Sequence, residues 1–131
     1  PGNAGDGDGI DPDPSDPGDR GNPDGSSSFH GTHVTGTVAA ATNNGIGVAG
    51  VAFDARVMPL RVLGQRGGTI YDIIQAVHFA AGLPNDSGTL PTRRADVINL
   101  SLGTTAFSAN LQGALDQARA AGVVVVAAAG N

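Results

Sequence analysis

Apolar side chains are almost missing before residue 29 and then recur in two alternating periods. Val34, Val38 and Ala41 stand at i, i+4 and i+7, the spacing of one helix face, so a short helix opens near His30. Residues 43–47 read as a loop. Residues 55–63 read as a strand ending at Gly64. Pro59 inside it has no N–H to give, which predicts an edge or irregular position. Gly67 and Gly68 make a turn. Thr69 then caps a helix whose third residue, Asp72, completes a capping box. Ile70, Ile73, Ile74, Val77 and Ala81 mark its apolar face, and Gly82 ends it. Residues 83–94 form a polar loop, and 95–102 a strand. Ser108 caps a further helix with Leu111, Leu115 and Ala118 on one face and Gly122 at its end. Residues 123–128 are an unbroken apolar run, which predicts a strand covered on both faces.

Helix, strand, helix, strand, helix, strand is the order of an α/β protein. It predicts a mainly parallel sheet with helices on both faces, joined by right-handed crossovers. Composition refines this. The 131 residues suffice for one domain with a real core, residues 29–131, behind an acidic Gly/Pro/Asp-rich loop at 1–28 that cannot pack by itself. The chain is 40% hydrophobic but only 4% aromatic, with 21 glycines, so its core is built from Val, Ile, Leu and Ala. A formal net charge of −5 argues against nucleic acid and anionic membrane as partners. No apolar run reaches the roughly 18 residues that a membrane-spanning helix needs. The absence of cysteine excludes disulfides and thiolate metal sites in these residues.

Candidate chemistry gathers at a few places. His30 opens the first helix, with Ser28 beside it as the expected cap, where the positive end of the helix dipole favours the neutral, base-competent imidazole. Taken alone, such a histidine is more often a surface residue. Asn131 follows an apolar strand and a glycine, at the sheet end where α/β active sites gather; alone it reads as a turn residue. Gly45, Gly47 and Gly50 match a dinucleotide fingerprint in letters only, because a helix precedes them and a strand follows. Asp6, Asp8, Asp11 and Asp13, followed by Asp16 and Asp19, form an acidic loop whose Asp-x-Asp-Gly spacing suits a hard cation, without the distal Glu of an EF-hand. A solvated acidic linker is the competing reading. Two N-x-Ser sequons occur; Asn85 lies in a loop that could carry a glycan, while Asn99 lies in a strand expected to be buried.

The run Ser28-Phe29-His30-Gly31-Thr32-His33-Val34-Thr35-Gly36-Thr37 and the terminal Val123-Val124-Val125-Val126-Ala127-Ala128-Ala129-Gly130-Asn131 resemble two motifs of the subtilisin-like serine proteases, the subtilases. The resemblance covers residues from about 26 to 131 and implies a partial three-layer subtilisin-like domain. It implies that His30 is the general base, that His33 is structural and that Asn131 donates to the oxyanion. It makes Leu63, Gly64 and Gly67 one side of a substrate groove. Ser101, Leu102 and Gly103, with Ala129 and Gly130, make the other, and the peptide adds between them as a strand. It also makes Asn44, Ile46 and Val48 ligands of a structural calcium ion, with Asp8, Asp11 and Asp13 as a second candidate set. No Asp-Thr/Ser-Gly precedes the histidine and no Gly-Thr-Ser-Met-Ala occurs, so the catalytic Asp and Ser are expected outside these residues. The implied protein is a secreted serine endopeptidase acting on polypeptides, with this segment inactive alone. Its implied partners are the remainder of its own catalytic domain and a propeptide. The alternative is a non-catalytic calcium-binding or structural domain that keeps the fold.

Overall fold

The computed structural model describes residues 9–130. The chain forms two compact units, Asp13–Arg61 and Pro1–Pro12 with Val62–Asn131. The composition boundary at residue 28 falls inside the first of these.

The first unit holds one helix, α1 (His30–Ala39). Its last carbonyls would be orphaned, since a helix end has no partners of its own for them. The chain folds back to supply those partners. Gly50 N donates to Ala40 O at 3.1 Å, Val51 N to Thr37 O at 3.1 Å and Ala52 N to Val38 O at 2.7 Å. This return needs glycine at position 50. A Cβ there would lie 2.6 Å from Ala39 Cα and 2.7 Å from Ala39 C, both backbone atoms that cannot step aside. The apolar face predicted for α1 exists but is not enclosed: no residue of α1 is buried.

The second unit carries α2 (Ile70–Ala80), β1 (Val97–Leu100), α3 (Ala109–Ala120) and β2 (Val124–Ala127). Both helices start and stop as their sequences dictate. Thr69 Oγ1 accepts from Asp72 N at 3.1 Å, and Thr69 N donates to Asp72 Oδ2 at 3.4 Å, completing the capping box. Ser108 Oγ accepts from Leu111 N at 3.3 Å. Gly82 (φ 69) and Gly122 (φ 85) take the left-handed conformation just past the two helix ends. Each end closes with the same pair of bonds: Gly82 N to Phe79 O and Leu83 N to His78 O, then Gly122 N to Arg119 O and Val123 N to Ala118 O. Arg94 lies against both glycines and donates from Nη1 to Ala121 O.

α2 packs against α3, and α3 against β2. The seam is made of small residues: Ala80, Ala81, Ala114 and Ala118 are buried, with Ile73 and Val77 filling the space beside them. Alanine at these positions lets helices approach closely, and each buried Val or Ile contributes about 1.5–3 kcal/mol. β1 and β2 pair in parallel, Val97 opposite Val124 through Leu100 opposite Ala127.

Three expectations fail. Residues 55–63 form no strand; the stretch is irregular, with no described strand alongside and no N–H at Pro59. The apolar run 123–128 is covered on one face only. Ile98 and Val123 are buried towards the helices, but Val97 (55% exposed), Val124 (57%) and Val126 (49%) lie open. Asn99, opposite Val126, shares that open face rather than an interior.

Gly50→Ala is expected to destabilise the protein by about 1–3 kcal/mol, the usual cost of forcing extra atoms into a packed site. A fall in thermal unfolding midpoint that the control Gly113→Ala, at a position without positive φ where a Cβ meets nothing within 4 Å, does not share checks that the effect is the clash. Equal midpoints would show that residues 50–52 can move off α1.

Candidate active site

His30 is the first residue of α1 and is exposed. The residue before it, Phe29, is the N-cap and has left-handed backbone (φ 45, ψ 39) with no side-chain cap bond. Ser28, expected as the cap, is not one. Its hydroxyl donates to Asp19 Oδ2, and its N–H donates to Asp19 Oδ1 at 2.8 Å. A cap oxygen accepts from helix N–H groups, but Ser28 sits one residue before the N-cap, and its hydroxyl donates instead to the charged Asp19 carboxylate. Asp19 also accepts from Gly21 N at 3.1 Å. These donors, the Ser28 hydroxyl first, hold the Asp19 carboxyl at about 2, below its usual 3.8. In the sequence Asp19 reads only as one residue of the acidic loop; the signal for its bond to Ser28 was an aspartate shortly upstream of three serines. His33 N closes the first turn onto Phe29 O at 2.9 Å, and His33 is exposed.

The rest of the acidic loop is folded by the same kind of bond. Asp13 Oδ1 accepts from Ser15 N at 2.9 Å, and Asp16 Oδ1 from Gly18 N at 2.8 Å. Asp24 Oδ1 accepts from Ser26 Oγ at 2.7 Å and Ser26 N at 2.9 Å, which lowers its pKa. Each carboxylate reaches an N–H two residues ahead, the Asx-turn geometry.

In the second unit the parallel register brings two candidate substrate segments together. Leu100 is opposite Ala127, and Ala128 N donates to Leu100 O at 3.0 Å. Ser101, Leu102 and Gly103 therefore leave the sheet beside Ala128, Ala129 and Gly130, at the carboxyl end of both strands. Ser101 Oγ accepts from Asn99 Nδ2 at 3.0 Å. Leu63 leads into a tight turn in which Gly64 and Gly67 exchange both backbone bonds, at 2.9 and 3.1 Å. Asn131, the candidate oxyanion donor, lies outside the described residues, as does Asp8.

Asn44, Ile46 and Val48 lie on an exposed loop with left-handed backbone at every second residue, Asn43 (φ 58), Gly45 (φ 72) and Gly47 (φ 64). Asn44 Oδ1 accepts from Ile46 N at 3.0 Å. Among the described residues no three His, Asp or Glu side chains gather as a metal cage. The loop sequon is also engaged: Asn85 Nδ2 donates to Leu83 O at 3.1 Å and to Thr89 O at 2.9 Å.

Comparison with known proteins gives these positions a context. The model of the subtilase family matches residues 4–131. An extracellular protease of Xanthomonas campestris pv. campestris is 46% identical over 137 residues, covering 98% of this chain and 24% of that protein. An extracellular basic protease of Dichelobacter nodosus is 44% identical over 142 residues, again covering 98% of this chain and 24% of that protein. A solved protease from Pseudoalteromonas arctica PAMC 21717 superposes with a TM-score of 0.87 at 50% identity, over 96% of this chain and 40% of that one. The chain thus spans about a quarter of the length of these two curated relatives.

The Asp19 bonds make the loop before α1 pH-sensitive. Because its pKa is depressed on folding, Asp19 stabilises the loop at pH above 3.8, and the contribution is lost as pH falls through about 2. A carbon-detected NMR titration should show the Asp19 carboxyl titrating near the lower value. A midpoint at 3.8 would mean that the Ser28 bonds do not persist in solution.

Proposed function

The chain belongs to the subtilase family, and from that premise we propose that it is the central segment of a secreted serine endopeptidase. In this reading His30 is the general base. It takes the proton of a serine hydroxyl carried elsewhere in the protein as that oxygen attacks the scissile carbonyl, and returns it to the leaving amine. The Asn131 carboxamide donates to the oxygen that becomes negative in the tetrahedral intermediate. The substrate lies as an added strand between residues 63–67 and 101–103, with Ala129 and Gly130 below the scissile bond.

The observation that carries the proposal is the paired departure of residues 101–103 and 128–130 from the carboxyl end of adjacent parallel strands. Active sites of open α/β sheets form at that end, and the second segment leads directly into Asn131. The extracellular naming of two relatives supports secretion.

Calcium is proposed as a structural ion. The 43–48 loop suits a hard cation because it offers oxygen donors without competing nitrogen or sulfur. Asn44 would hold the ion through its side-chain oxygen, and Ile46 and Val48 through their carbonyls. The acidic loop is the second candidate: Asp13 Oδ1 accepts from Ser15 N much as Asn44 Oδ1 accepts from Ile46 N, but a carboxylate set with Asp11 also needs Asp8. Bound calcium would order backbone and take no part in the reaction.

Within the whole protease, His30→Ala is expected to lower kcat by about 10⁶-fold, the loss that removing the base causes in subtilisin. Asn131→Ala is expected to lower kcat about 10²–10³-fold with little change in KM, again the family's own magnitude. Turnover of a chromogenic peptide that survives His30→Ala would overturn the assignment. Calcium chelation should lower the thermal midpoint of the wild type. It should do so less in Asn44→Ala; an equal fall in both would remove the 43–48 loop as the site.

A further inference from the structure

α1 has nothing of its own to fix the orientation of its first residue. Its N-cap makes no side-chain bond, its first turn holds no acidic residue, and none of its residues is buried. The chain segment just ahead of it, by contrast, is tied down at several points. Asp19 binds both the N–H and the hydroxyl of Ser28. Arg20 N donates to Ser27 Oγ at 3.1 Å, and Gly21 N donates to Asp19. Gly18 is buried, and a Cβ on it would collide with the Ser27 hydroxyl and come within 3.5 Å of the Phe29 ring. Residues 18–21 and 27–29 therefore run in contact. Phe29 itself holds a left-handed conformation that side-chain-bearing residues rarely adopt unless their surroundings impose it.

We propose that Asp19 is a positioning residue for His30: its grip on Ser28 keeps Phe29 left-handed and so fixes the direction in which the first turn of α1 presents the imidazole. The inference rests on the reading of His30 as the general base. Asp19 touches no reacting atom. It acts through two residues of backbone, and its depressed pKa keeps it charged at any pH at which a neutral imidazole could act. Asp24, in the same loop, binds only Ser26 and has no such line to the helix.

The test uses the whole protease and a chromogenic peptide. Asp19→Ala should lower kcat about 10- to 100-fold with KM nearly unchanged, the scale expected when a catalytic group is misplaced by about an ångström. Asp19→Asn, which keeps an acceptor oxygen but loses the charge, should fall between. Asp24→Asn should match the parent. The decisive comparison is made in a His30→Ala background, where Asp19→Ala should cost nothing further, because a residue that works through the base has no effect once the base is gone. If Asp19→Ala does not accumulate as folded protein, Ser28→Ala, which removes only the hydroxyl arm, serves in both backgrounds. Equal losses with and without His30, or a loss confined to KM, would overturn the inference. An inactive parent would instead sink the reading of His30 as base, whereas an active parent indifferent to Asp19 would sink this inference alone.

Discussion

The parallel pairing of β1 with β2 is the constraint on which the larger unit depends. Two parallel strands cannot be joined by a tight turn; the chain must cross over, and α3 is that crossover. Its length and its two ends then decide the register. Ser108 starts the helix and Gly122 stops it. Val123 is buried one residue past that stop, which delivers Val124 opposite Val97 and donates Val124 N to Asp96 O. A shift of one residue would turn Val125 outward and move the glycine-ended segment 128–130 away from Ser101. α2 repeats the same glycine stop. Arg94, lying against both stops, ties the ends of α2 and α3 together just ahead of β1.

Much of this was legible because it is local. Caps and stops act within five residues, so Thr69, Asp72, Gly82, Ser108 and Gly122 could be read from spacing alone, and the two helices sit where those residues put them. Strands are less local. Residues 55–63 have the composition of a strand, but a strand is made by its neighbour, and no described strand lies beside them. The same reason explains the valines of β2: an unbroken apolar run says what the segment could bury, not what is there to cover it. The motif around His30 was legible as letters, and the structure puts it at the first turn of a helix as expected.

What the motif did not reveal is how that turn is held. Ser28 has two possible uses: to cap α1 or to bind a carboxylate nine residues back. Choosing between them requires knowing that the loop folds onto itself. Asp19 lies within reach of the Ser28 hydroxyl and N–H, and the helix begins one residue later, so its N-cap is Phe29, which can offer only backbone. The loop that composition alone describes as solvated acidic linker is, from Asp13 onward, a chain of short turns in which Asp13, Asp16, Asp19 and Asp24 each accept from the N–H two residues ahead.

The prolines of that loop complete its design. Pro12, Pro14 and Pro17 stand at near-regular intervals, and Asp13 and Asp16 reach past Pro14 and Pro17 to the next available N–H. A segment captured by an endopeptidase must lie extended and offer its amide hydrogens to the enzyme's strands. Here Pro12, Pro14, Pro17 and Pro23 have no such hydrogen, and other positions are already engaged by aspartate. An exposed acidic loop is usually the first part of a secreted protein to be nicked. At residues 12, 14, 15, 17 and 18 no amide hydrogen is therefore left to pair with an edge strand of any partner.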